Sequence, residues 1–247
     1  MTDSGSVVLA LDAGNTRIKW GVHDGHAWRA RGAVATSEAA SLHESLRPGL
    51  PVDAAIASNV AGAVVRGALE TACAQAGVAL RLIASLPEQL GVRNGYREPG
   101  QLGTDRWAAL IAAHQAHPGD KLVVNVGTAL TVDALTATGE FLGGLIVPGP
   151  ALMRRSLDQG TAALREAPGA VRDFPQATPE AIASGAVHAC VGAITRIGAA
   201  MAARGTPPGR IILSGGGARE LEQWLPYPAI FQENLVLDGL LSIARND

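Results

Sequence analysis

An α/β fold of two similar domains with a cleft between them is predicted from this 247-residue sequence by three observations. Short Val- and Ile-rich strand candidates alternate with helical segments along most of the chain. A strand, glycine turn, strand pattern opens the chain at SVVLALDAGNTRIKWGV and recurs as KLVVNVGTALTVDAL, and laying Asp12 on Asn125 places Gly14 on Gly127, as in two copies of one unit. A 47% hydrophobic content is enough to bury a core in one large domain or in two of about 120 residues each.

The elements follow in order. The first strand is expected over Val7–Leu11, the second over Arg17–His23, and a third near Trp28 after a His-Asp-Gly-His turn. Glu38–Leu46 reads as a helix, AAIAS at 54–58 as a strand, GAVVRGALETACAQ as a helix closed by Gly77, and ALRLIAS at 79–85 as a strand. The polar loop GVRNGYREPGQLGTDRW leads into the helix AALIAAHQAH, and Pro118-Gly119-Asp120 breaks the chain, dividing it into domains 1–118 and 119–247. The second half predicts three strands through Gly149 and a helix after Pro150. A polar loop runs through Pro175 to a long helix with Thr178 as N-cap and Pro179 in its first turn. RIILSGGGARELEQWL then reads as strand, glycine turn and helix.

Composition narrows the chemistry. Net charge is −2 and the arginines are scattered, which argues against a nucleic-acid surface and against polybasic membrane binding. No apolar run approaches the roughly 20 residues of a membrane span, and the polar MTDSGS start lacks signal-peptide features, so a cytoplasmic protein is expected. Cys73 and Cys190 are far apart without a partner motif and read as inert core thiols. The six histidines show no ligand or triad spacing, and the tryptophans read as core or interface packing. Small-molecule chemistry is left.

The hairpin turn Asp12-Ala13-Gly14-Asn15-Thr16 interrupts a strand with residues that strands disfavour. Taken alone it reads equally as a plain β-turn. Paired with Asn125–Thr131 across the expected cleft, it offers the backbone N–H groups and hydroxyls that a polyphosphate needs, with Asp12 available to magnesium directly or through water. The P-loop and dinucleotide-binding glycine patterns are both missing. Ser214-Gly215-Gly216-Gly217-Ala218 would let a flat ring or a phosphate approach the backbone.

With DAGNTRIK at 12–19, Tyr96 ahead of GTDR at 103–106, NVGTALTVD at 125–133, GGLIVPG at 143–149 and TPEAIASG at 178–185, the chain resembles the type III pantothenate kinases of the acetate and sugar kinase/Hsc70/actin superfamily. The resemblance implies duplicated RNase H-like (actin-like ATPase) domains, a homodimer, and ATP-dependent phosphorylation of the primary hydroxyl of pantothenate, the first step of coenzyme A synthesis. It assigns Asp12, Ala13, Gly14, Asn15, Thr16, Arg17, Ile18 and Lys19 to the first phosphate loop, with Asp12 directed at Mg2+, and Thr128 to ATP. Tyr96, Gly103, Thr104, Asp105, Arg106 and Thr178 would contact pantothenate, with Asp105 as general base and Arg106 facing the substrate carboxylate. At Asn125 the chain departs from the family's aspartate, which implies weak or no dependence on a monovalent cation such as K+ or NH4+.

Each residue also has a plainer reading. Asp105 would suit the positive end of a helix, Thr104 and Thr178 would serve as N-caps, and Tyr96 would be a surface aromatic. The competing functions are a sugar or acetate kinase of the same superfamily and a transcription accessory factor, a role after which some relatives were named.

Overall fold

The computed structural model describes residues 5–46, 52–165 and 167–246, so the first four residues of the polar start, Glu166 of the expected polar loop and Asp247 lie outside the described residues. The chain forms two compact units, Met1–Ala116 with Asn234–Asp247, and His117–Glu233.

In the first unit β1 (Val8–Ala13), β2 (Arg17–His23) and β3 (Trp28–Ala35) form an antiparallel meander, and β4 (Ala54–Asn59) and β5 (Leu80–Leu82) add in parallel on the far side of β1, giving the order β3-β2-β1-β4-β5. Between β3 and β4, where Glu38–Leu46 reads as a helix, the chain instead makes a 3-10 segment, Thr36–Ser41, and one α-turn, α1 (Leu42–Ser45). Neither has a side-chain cap, and non-helical geometry at Glu38 keeps a continuous helix from propagating. Helix α2 (Ala63–Gln75) buries Val65, Leu69, Ala72 and Cys73 against the odd-numbered face of β1, at Leu9, Leu11 and Ala13. Alternation therefore turns Val8, Ala10 and Asp12 to the opposite face.

The loop expected after residue 90 is more structured than its polar composition suggests. A two-strand hairpin, β6 (Glu88–Gln89) with β7 (Val92–Asn94), and a 3-10 turn at Pro99–Gln101 precede α3 (Thr104–Ala116).

The second unit repeats the plan. Strands β8 (Lys121–Val126), β9 (Ala129–Leu135) and β10 (Glu140–Pro148) form the meander, with β11 (Arg210–Ser214) and β12 (Ala229–Phe231) parallel beside β8, in the order β10-β9-β8-β11-β12. Helix α4 (Pro150–Gly160) follows, and α5 (Thr178–Ala203) packs Cys190, Ile194 and Met201 onto Leu122, Val124 and Val126 of β8. The apolar-run expectation is corrected at α5, which is long and apolar enough to cross a membrane by length and composition. Its Ile182, Val187, Cys190 and Ile194 lie buried in the protein, while much of the rest of the helix is half-buried or exposed. After β11 the expected helix is only one turn, α6 (Ala218–Leu221), continued by a 3-10 turn at Glu222–Trp224.

Helix α7 (Leu235–Asn246) departs from the division at residue 118: it belongs to the first unit, where it packs on α3, β1 and β4. Gly239 permits this, since a Cβ there would overlap the backbone carbonyl of Ala108. Cys73 and Cys190 are buried and unpaired, their thiols pushed up to about 11 chiefly by burial, as expected of packing residues.

Candidate active site

The first hairpin turn joins Ala13 of β1 to Arg17 of β2. Gly14 N–H donates to the Arg17 carbonyl at 3.1 Å, and Thr36 fixes the loop from outside, its hydroxyl donating to the Gly14 carbonyl at 2.7 Å and its N–H to the Thr16 carbonyl at 3.0 Å. Asn15, Thr16 and Arg17 are exposed. Ala13 and Ile18 are fully buried, so these two residues of the expected loop serve the core with their side chains.

Asp12 sits one step inside the loop, in register with Lys19 of β2 on one side and Ser58 of β4 on the other, so the three share one row across the sheet. Its carboxyl is raised from 3.8 to about 7, first by burial, then by the charge of Asp105, against the opposing pull of Lys19. Asp105, in the first turn of α3, is raised as well by burial, opposed by the N–H and guanidinium of Arg106. The charge of Asp105 thus reaches Asp12 from 93 positions away in sequence.

The helix start is held in several places. Trp107 N–H donates to the Gly103 carbonyl at 3.0 Å, and Asp105 Oδ1 accepts from Arg106 N–H at 2.8 Å. A Cβ on Gly103 would come within 2.7 Å of Asp105 Oδ1, so glycine is what lets the carboxylate fold over the helix entrance. Arg106 is 5% exposed; it donates to the Tyr96 hydroxyl at 2.8 Å and lies 5.6 Å from the centre of the Tyr96 ring. Tyr96 is therefore a partner of Arg106 and no isolated surface aromatic. Thr104 is the first residue of α3, where its hydroxyl pairs with that of Ser58 at 2.8 Å.

In the second unit the turn Gly127-Thr128 is exposed, with Gly127 N–H bonded to the Ala129 carbonyl at 3.0 Å and Gly149 N–H bonded to the Thr128 carbonyl at 2.8 Å. Asp12 pairs with Lys19 and Asn125 with Thr131, so the second hairpin is one residue shorter than the first, and the repeat is in register only on its first strand. Asn125 is half-buried and in register with Ser214; its Oδ1 would lie 2.7 Å from a Cβ on Gly215, which has φ +98°. Thr178 is the first residue of α5 and is exposed. The N-cap expectation is corrected here: Ala177 occupies that position with no side-chain cap bond among the described residues, and Pro179 contributes the pre-set geometry of the first turn.

Sequence reasoning passed over Thr36, Ser58, Ser85 and Asn94. Ser85 is buried and its hydroxyl donates to the Leu102 carbonyl at 2.8 Å, while the Asn94 side chain donates to the Pro99 carbonyl at 3.2 Å and accepts from Tyr96 N–H at 3.1 Å. These bonds tie residues 94–104 into one frame. A signal for Ser58 was present: AAIAS and RIILS both end in serine, at matching places in the two repeats.

No group of three or more His, Cys, Asp or Glu side chains able to hold a metal gathers among the described residues. The Asp12 carboxyl, with the charge of Asp105 acting on it and the exposed Asn15–Arg17 turn beside it, would suit a magnesium ion that takes one or two protein oxygens and completes its shell with phosphate oxygens and water.

A family model for type III pantothenate kinase matches residues 8–200. Proteins named type III pantothenate kinase from Nitrosospira multiformis and Aromatoleum aromaticum are each 46% identical, the first over 97% of this chain and 91% of its own length, the second over 98% and 99%. Among solved structures, a Campylobacter jejuni protein described as a Baf family transcriptional activator superposes with a TM-score of 0.62 at 20% identity, covering 96% of this chain and 97% of that one. A ROK family glucokinase from Streptomyces griseus gives 0.52 at 13%, covering 98% and 100%. These structural likenesses bear on the fold and agree with two RNase H-like units. The resemblance read from the sequence motifs is borne out, and the chain belongs to the type III pantothenate kinase family.

Proposed function

We propose that Asp105 is the general base with which this chain, a pantothenate kinase, phosphorylates the primary hydroxyl of pantothenate with ATP in coenzyme A synthesis. The observation that carries the reading is the half-buried Asp105 carboxyl at the entrance to α3, lifted by burial and lying within the field of Asp12. A raised carboxyl is a better proton acceptor than an exposed one. As the substrate oxygen bonds to the γ-phosphorus, its proton passes to Asp105, and the bond from that phosphorus to the bridging oxygen breaks to release ADP. Positioning and electrostatics carry most of such a reaction.

Asp12 through Lys19 would receive phosphate on the backbone of the Gly14–Arg17 turn, and Thr128 would contact ATP from its own hairpin. Magnesium bound at Asp12 would neutralise charge on the transferring phosphoryl group. Arg106, aimed by Tyr96, suits the pantothenate carboxylate, with Gly103, Thr104 and Thr178 as further contacts. Assembly as a homodimer is part of the same proposal.

The test is Asp105→Asn, assayed by coupled ADP release with pantothenate, sugars and acetate as acceptors. Asparagine keeps the oxygen that accepts from Arg106 N–H and loses the proton acceptor, so kcat should fall about 10²- to 10⁴-fold with pantothenate still bound. Turnover in the wild type should be confined to pantothenate. A variant with wild-type kcat would return Asp105 to a role in helix electrostatics.

A further inference from the structure

Ser58, the last residue but one of strand β4, is fully buried and lies directly beside Asp12 in the register of the sheet. Its hydroxyl lies 2.8 Å from that of Thr104, the residue immediately before Asp105. Two neighbours fix the same junction: Val60 N–H donates to the Ala13 carbonyl at 3.0 Å, and Val60 Cγ1 would stand 3.9 Å from a Cβ on Gly103. The end of β4 is therefore wedged between the strand that carries Asp12 and the helix that carries Asp105.

We propose that Ser58 is a positioning residue for phosphoryl transfer, its buried hydroxyl pinning Thr104 and so holding the first turn of α3, with Asp105, at a fixed place beside Asp12. The proposal rests on Asp105 as the base. The physical case is economy of attachment. The Ser58 hydroxyl is buried while Thr104 is only half-buried, so breaking the pair costs less in desolvation than it removes in position: the helix start loses the tether that joins it to β4 at this point. A base displaced by a fraction of an ångström to an ångström loses its alignment with the attacking hydroxyl while the binding groups elsewhere remain in place.

The experiment compares wild type, Ser58→Ala, Ser58→Thr and Asp105→Asn by steady-state kinetics over a range of pH, with thermal melting as the control for folding. Ser58→Ala should lower kcat about tenfold with KM for ATP within twofold of wild type. Loosening of the helix start admits water to Asp105, so the acid limb of the kcat profile should move to lower pH. Ser58→Thr, which keeps the hydroxyl, should recover most of the lost kcat. Wild-type kcat in Ser58→Ala beside an impaired Asp105→Asn would overturn the positioning role alone. So would a lowered kcat with an unmoved acid limb, because that is the behaviour of simple packing loss. A fully active Asp105→Asn would overturn the base assignment and the proposal with it.

Discussion

Asp12→Asn should stabilise the free protein above neutral pH while weakening its use of magnesium. The carboxyl stands at about 7 in the folded chain against 3.8 ordinarily, so folding takes up a proton at intermediate pH. A group raised in this way contributes its full stability below 3.8 and loses it as pH climbs through 7, above which the folded state carries the whole cost of a confined charge. A rise of this size corresponds to about 4 kcal/mol gross, and the solvent contact Asp12 retains reduces the expected cost to roughly 1–3 kcal/mol. Asparagine has nearly the same shape and no charge. Its advantage should be close to nothing at pH 4, grow through neutrality and level off by about pH 8, where melting should occur roughly 3–8 °C above wild type. Thermal melts of both proteins across that range, without nucleotide, measure the difference. In the kinase assay the variant should need more magnesium for half-maximal rate. An offset in melting temperature that is independent of pH, or a less stable variant at pH 8, would refute the electrostatic reasoning; an unchanged magnesium titration would refute the metal role.

Gly239→Ala should destabilise the first unit by about 2–4 kcal/mol, since its Cβ overlaps the Ala108 carbonyl and α7 must lift from α3; denaturant melts would show it, and a neutral result would mean the two helices can shift freely. Lys121→Met should raise the melting temperature at neutral pH, because Lys121 is fully buried, its Nζ has no hydrogen-bond partner among the described residues, and burial pushes its pKa down. That gain should shrink toward alkaline pH as the native lysine becomes neutral in both folded and unfolded chains. At Asn125, with the oxygen retained and the charge lost, potassium or ammonium should stimulate the wild type little, and Asn125→Asp should restore sensitivity. Rates in potassium, ammonium, sodium and a bulky organic cation at matched ionic strength decide this, and a strict potassium requirement in the wild type would contradict it.

Most of the strands and the repeat were legible because each rests on local pattern. Strand β1 was readable from a Val–Leu run ended by Asp-Ala-Gly-Asn-Thr, and β8 from the same pattern ended by Gly-Thr. The motifs that identify the family are short and contiguous, so they needed no knowledge of packing. The Glu38–Leu46 helix was misread because helical composition without caps or a sustained periodicity leaves only isolated turns. Thr178 was misassigned by one position, since the cap depends on where the first turn closes.

What linear pattern had no means to supply is proximity across the sheet. Asp12 and Ser58 become neighbours through the pairing of β1 with β4, and Ser58 meets Thr104 only once α3 settles on the even-numbered face of that sheet. The raised carboxyl of Asp12 is a property of that arrangement, because burial and the charge of a residue distant in sequence exist only after the fold has formed. The same holds for α7, which follows the second unit along the chain yet belongs with the first, because a glycine at 239 matches a carbonyl at 108. Local propensity decides which segments become strands and helices; register and close packing decide which side chains meet, and those depend on the whole chain at once.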